Sequence, residues 1–269
     1  AMFNDAWFSQ ALHMSLAAIV ATGFAVAGIH AWLLLKEPKN QLHQKAFSIS
    51  IWFAIIAAFL QPISGDISSK DIARRQPLKL AAAEALFETQ THAPLHIGGV
   101  PNMRERRVDY AITIPGGLSF LSFFDVNAEV KGLDAFPQEE WPPVPVVHYA
   151  FQLMVGIGIF LMLVGIIFLY LYFRKKKQIY HPVFLRLIAW CTPLGFIAVE
   201  AGWTVTEVGR QPWILYGILK TKETLTPMPG LVYSFLAVTV IYLLLSVVVV
   251  WLMTRQFKVV SMKFRGQGS

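Results

Sequence analysis

The sequence predicts an all-α integral membrane protein, with about five transmembrane helices and a long external loop between the second and third. Three observations carry this. Hydrophobic residues make up 55% of the 269 residues and charged residues only 14%, where a soluble domain carries about a quarter charged. Five windows are apolar over the roughly 20 residues that a helix needs to cross the hydrocarbon. No window alternates apolar and polar residues in pieces of about ten, as a membrane β-barrel would. A backbone in lipid must satisfy its hydrogen bonds internally, so helices remain.

The windows run over 11–35, 46–63, 144–173, 183–205 and 231–253. The second is near the lower length limit, and the last carries no charge. They divide the chain into two spans in 1–63, a long loop in 64–143, and three spans with a tail in 144–269. The loop is too long for a simple connector. It holds "QPLKLAAAEALFETQ", good helix formers after a proline, then "TIPGG" and the proline-rich "WPPVP", and reads as a partly folded external subdomain. No internal repeat or low-complexity tract is visible.

Lysine and arginine in short connections set the orientation. Lys36, Lys39, Lys45, Arg174, Lys175, Lys176, Lys177, Arg255, Lys258, Lys263 and Arg265 fall on one side, against Arg210, Lys220 and Lys222 on the other. This places the tail in the cytoplasm and the long loop outside. The formal net charge of +7 reflects that bias rather than a nucleic-acid surface. There is no P-loop, dinucleotide fingerprint or nucleophile elbow. The lone Cys191 lies in an apolar run, which excludes an internal disulfide framework and a cysteine-based zinc or iron–sulfur site. The chain starts at Ala1 rather than methionine, which suggests a fragment of a longer one.

Ionisable groups inside apolar spans are costly and mark function. His13, in "SQALHMSLAAIV", lies one turn inside the first helix on the outer side. It is either an interfacial histidine bonded to a neighbour or an axial haem ligand. His30, beside Trp32, reads as an interfacial anchor, and Arg186 as a residue that snorkels outward. Met154 lies in "HYAFQLMVGIG" at a depth like that of His13. It is packing filler or the second ligand of a His/Met pair, with Gly156 and Gly158 admitting a flat macrocycle. His148 points about 240° away from it around the helix. Glu200, Trp203 and Glu207 share one helix face by their i, i+3, i+7 spacing. Arg210 either neutralises Glu207 or holds an anionic group such as a propionate while Glu207 faces a metal or a proton path. Pro212 should stop that helix. In the loop, Lys79 and Glu84 flank "LAAA". They belong to a solvated helix, or they supply the base and the donor that a quinol hydroxyl needs. "RERR", Arg104 to Arg107, reads as a solvated surface.

These motifs together resemble subunit I of cytochrome bd ubiquinol oxidase. "GWTVTEVGRQPW" is the most specific match; "QPLKLAAAE", "FQLMVGIG" and "ALHMSLAA" follow that family's quinol-binding loop and ligand helices in the right order. The resemblance covers essentially the whole chain. It implies that His13 and Met154 are the axial ligands of a low-spin haem b. Glu207 would ligate a high-spin haem, either the second haem b or a haem d (or a third haem b). Trp203 would lie among the haems, Arg210 would stabilise propionates, and Lys79 and Glu84 would bind quinol. It further implies a terminal oxidase of a bacterial or archaeal cytoplasmic membrane, working with a subunit II and a small accessory subunit. Quinol would be oxidised at the outer loop and oxygen reduced to water with cytoplasmic protons. Gln152 stands where some members have arginine, and the loop suggests the short-loop branch. About four further helices would be expected before His13, so the fragment alone would be inactive. Two rival classes stand beside this: a di-haem electron-transfer cytochrome that does not touch oxygen, and a transporter using Glu200, Glu207 and Arg210.

Overall fold

The computed structural model describes residues 6–225 and 228–265. The side chains of Lys176, Lys177, Lys258, Lys263 and Arg265, which contribute to the charge bias, lie outside the described residues. Among the described residues, 5 helices are long and apolar enough to cross a membrane. The chain forms two compact units, Ala1–Glu223 and Thr224–Ser269.

In the first unit, α1 (Trp7–Lys36) and α2 (Gln41–Arg75) form an antiparallel hairpin. Asn40 caps α2, its side chain accepting from the Leu42 and His43 amides at 3.1 and 3.3 Å, a short polar residue doing what such residues do at helix starts. α2 does not stop at Ile63. It runs through Pro62 and the polar segment beyond to Arg75. That polar end is held by partners: Ser9 donates to Asp71 at 2.5 Å, and Ser68 to the Ser9 carbonyl at 3.3 Å. The spans α5 (Val144–Arg174), α6 (Pro182–Trp190) and α7 (Leu194–Val208) follow. The fourth span, read from the sequence as one helix, is therefore two pieces. Pro193 lacks an amide hydrogen and cannot continue α6, and Thr192 closes the break by donating to the Ala189 carbonyl at 2.7 Å.

The main core gathers Phe24, Phe47, Ile51, Ile55, Phe168 and Ile188 from α1, α2, α5 and α6. At Gly195, α7 meets α1: a Cβ there would lie 2.5 Å from the Ala21 Cα and 3.1 Å from its Cβ. Small residues let helices in a membrane approach this closely. Gly195→Ala is expected to force the two apart at a cost of roughly 1–3 kcal/mol, read as a lowered melting temperature in detergent.

The segment between α2 and α5 folds as the loop's length requires. It holds α3 (Pro77–Glu84), β1 (Leu95–Ile97), β2 (Val100–Asn102), β3 (Arg107–Asp109), β4 (Ile112–Ile114) and α4 (Gly117–Phe123). β1 pairs antiparallel with β4, and β2 with β3. A second core of Leu78, Ala81, Ala82, Leu133, Val144, Val147 and Val205 seats α3 on α5 and α7. After α7 comes a short hairpin of β5 (Trp213–Leu215) and β6 (Leu219–Lys220). The second unit carries α8 (Leu231–Arg265), whose membrane-length stretch is Leu231–Gln256.

Candidate functional site

His13 faces α2. Its Nδ1 lies 3.0 Å from Ser64 Oγ, and that hydroxyl donates to the Gln61 carbonyl at 2.9 Å. The Ser64 proton is thus committed, so Nδ1–H donates to Ser64 and Nε2 keeps its lone pair. The Gln61 amide donates to that nitrogen at 3.2 Å. A bonded Nδ1–H and a basic Nε2 is the form in which histidine binds a metal. Gly65, next to Ser64, lies against the ring: a Cβ there would sit 3.5 Å from the His13 Cε1.

Met154 faces α7. A Cβ on Gly202 would sit 2.8 Å from its Sδ, so the glycine is the cradle of the thioether. A Cβ on Gly156 or Gly158 would meet nothing within 4 Å, so both present open backbone along this stretch of α5. His13 and Met154 have different immediate neighbours. The link between their helices is α7, which packs on α1 at Gly195 and on α5 at Gly202.

At the end of α7, Arg210 forms an ion pair with Glu207. The helix ends at Val208, before Pro212, so Arg210 reaches back from a turn rather than from the next helical turn. Its Nε is buried without a partner, as is the Nε1 of Trp213. These two buried donors without partners, three residues apart in the chain, would suit an anionic acceptor such as a propionate. Glu200 and Trp203 are exposed, Trp203 at 63%, so the Glu200–Trp203–Glu207 face is open in this unit.

The solvated alternative for α3 fails. Every residue from Leu78 to Glu84 is buried, with Lys79 at 7% and Glu84 at 4% exposure. Lys79 lies against the end of α7: a Cβ on Gly209 would lie 3.3 Å from its Cγ. Burial and the neighbouring Arg210 lower its ammonium to about 8, against an opposing pull from Glu207. Burial alone raises the Glu84 carboxyl to about 8, and its Oε2 has no partner. Lys79 and Glu84 thus lie at opposite ends of one buried helix, each poised near neutral pH. By contrast "RERR" is a surface, as expected, with Arg107 paired to Glu105 and Asp109, both at 2.7 Å.

Two groups stand out that the sequence left without a role. His148 is fully buried, its Nδ1 2.8 Å from the Ala83 carbonyl. Gln152 donates to the His96 carbonyl at 2.9 Å and accepts from the Gly98 amide at 3.0 Å. This amide ties α5 to the loop. His30, read as an anchor, also meets His43, with their Nδ1 atoms 3.2 Å apart.

A family model described as Cytochrome bd terminal oxidase subunit I matches residues 1–260. The chain belongs to this family. In the structure of bd oxidase from Geobacillus thermodenitrificans, one chain is 38% identical and superposes with a TM-score of 0.86, over 96% of this chain and 59% of that one. A Bacillus subtilis protein named as a cytochrome bd menaquinol oxidase subunit I is 36% identical, over 96% of this chain and 59% of its own length. The Escherichia coli cytochrome bd-II ubiquinol oxidase subunit 1 is 26% identical over 94% of this chain and 62% of its own length. The chain spans about 59% of the relatives it matches first. Membership makes it a membrane protein of a haem-carrying, multi-subunit family. The residues present fit haem: an oriented imidazole, a thioether in a glycine cradle, open backbone beside it, and orphaned donors for an acid group.

Proposed function

We propose that the chain is part of a membrane quinol:oxygen oxidoreductase, the subunit I of a cytochrome bd terminal oxidase. Quinol is oxidised at the 64–143 segment, and oxygen is reduced to water elsewhere in the complex. The observation that carries this reading is the buried α3, with an unpaired Glu84 carboxyl and a Lys79 held against the end of α7. A quinol needs a base for its hydroxyl proton and a donor for its oxygen, both with pKa values near the working pH. Bound haem would supply one-electron acceptance and, at the oxygen site, reduction of oxygen.

The chain's own residues do the rest. His13 and Met154 hold a low-spin haem b. The Glu207 carboxylate serves a high-spin site (a second haem b, or a haem d or third haem b), and Trp203 lines the space among them. Arg210 and Trp213 donate to a propionate. Lys79 donates to the quinol oxygen, and Glu84 takes a hydroxyl proton. The working complex includes a subunit II and a small accessory subunit, in a bacterial or archaeal cytoplasmic membrane. The loop lies outside and the C-terminus in the cytoplasm, as the lysine and arginine bias supports.

The test is a reduced-minus-oxidised spectrum and oxygen uptake with quinol, on the complete subunit in its complex. The expected result is b-type bands with quinol-dependent uptake. Absence of haem bands sinks the reading; b-type bands without uptake point to an electron-transfer cytochrome.

A further inference from the structure

His148 takes part in none of these steps, yet it is the best-enclosed titratable group beside α3. A carbonyl only accepts, so the 2.8 Å contact with the Ala83 oxygen fixes the proton on Nδ1. Nε2 is left as a bare lone pair, buried and without a partner. Buried polar groups are almost always bonded, and an exception needs an explanation. One turn along α5, the two Gln152 bonds hold the β1–β2 turn at His96 and Gly98. The His96 imidazole, half-buried and 3.3 Å from Thr113 Oγ1 on β4, is near enough for the two rings' charges to repel. A line of groups thus leads from the backbone beside Glu84, through a buried imidazole, to a partly exposed one.

We propose that His148 and His96 form the proton exit of the quinol site, with His148 Nε2 accepting the second quinol proton. The proposal rests on the quinol-oxidase reading. Oxidation of one quinol breaks two O–H bonds and releases two protons and two electrons. Bound haem would take up the two electrons one at a time. One proton goes to the Glu84 carboxylate. The other goes to His148 Nε2 and passes from that atom to His96 and to water. The charged groups around this route are Lys79 and Glu84 on α3, His96 on β1, and Glu207 and Arg210 at the end of α7. Gly209 brings that end against Val147, next to His148.

The experiment replaces His148 in the complete subunit within its complex. His148→Asn keeps an N–H for the Ala83 carbonyl but cannot take a proton. The expected result is an unchanged haem spectrum, a quinol KM within about twofold, and turnover lowered about tenfold or more. The pH profile also loses an ionisation on its acid side. His96→Asn should lower turnover in the same direction and by less. His148→Phe, which loses the tether too, should raise KM as well. Wild-type turnover and pH profile in His148→Asn overturn the proposal. So does a raised KM with an unaltered pH profile, which marks a purely structural role. Should His148→Asn fail to assemble, His96→Asn reads the relay alone, and its indifference overturns it. A wild-type complex that oxidises no quinol sinks the oxidase reading itself, before any variant is compared.

Discussion

Replacing His13 by alanine in the complete subunit abolishes the low-spin b-type signal and lowers quinol oxidation by at least about a hundredfold. The expectation follows from the oriented imidazole. Ser64 takes the Nδ1 proton, which leaves the Nε2 lone pair, now met by the Gln61 amide, as the atom that would bind iron. Alanine would leave a bound haem with only the weaker thioether, and a low-spin haem needs both ligands. Met154→Leu would remove the other proposed ligand and should lose the same band, at little change in volume. Ser64→Ala leaves the ligand but frees its ring; groups in that orienting role typically account for about 10–100-fold in metal affinity or activity. The measurement is the dithionite-reduced minus oxidised spectrum beside oxygen uptake. Retention of the low-spin band in His13→Ala or in Met154→Leu removes that residue from the ligand set.

The parts of this site differ in how far the sequence reveals them. The five spans are legible because the bilayer imposes length and apolarity together, and no soluble packing arrangement imitates 231–253. His13, Glu207 and Arg210 are legible because each is an expensive residue in an apolar run. The extension of α2 to Arg75 is not. Hydropathy ends where polar residues begin, while the helix continues because Ser9 reaches across to Asp71. The break at Cys191–Pro193 carries a signal in Pro193, but hydropathy averages over it. The burial of α3 is hidden for another reason. "PLKLAAAE" suits a solvated helix as well as a buried one, and only the second core beneath it decides.

His148 shows the limit most sharply. Helical periodicity says that it points away from Met154, and nothing in the sequence says what lies there. Its partner is the backbone of Ala83, and backbone carbonyls have no side-chain signature. The same holds for Gln152, whose bonds are to the backbone of His96 and Gly98. Tertiary contacts to main chain are the class of interaction that residue types alone cannot predict.

Glu84→Gln is the second variant with a large expected effect, and it separates chemistry from stability. Burial penalises the charged form, so the carboxyl rises from 4.5 to about 8. A base must be ionised to accept a proton. Wild-type turnover therefore climbs towards pH 8 as Glu84 ionises, and falls above it as the Lys79 ammonium, itself lowered to about 8, loses its proton. Glutamine is nearly isosteric and has no ionisation, so turnover falls about a hundredfold and the part of the rise near pH 8 that belongs to Glu84 disappears. Stability moves the other way. Between 4.5 and about 8 the folded chain keeps a proton that the unfolded chain releases. Wild-type stability from this group is thus fully present below 4.5 and is lost as pH rises to about 8. Glutamine has no such loss. The variant should melt at the wild-type temperature near pH 4.5 and above it at pH 9, when followed in detergent by thermal unfolding. A wild-type rate limb in Glu84→Gln would take the proton from Glu84 and give it to another group. An equal melting difference at both pH values would mean that the buried carboxyl has a partner and is not raised by burial.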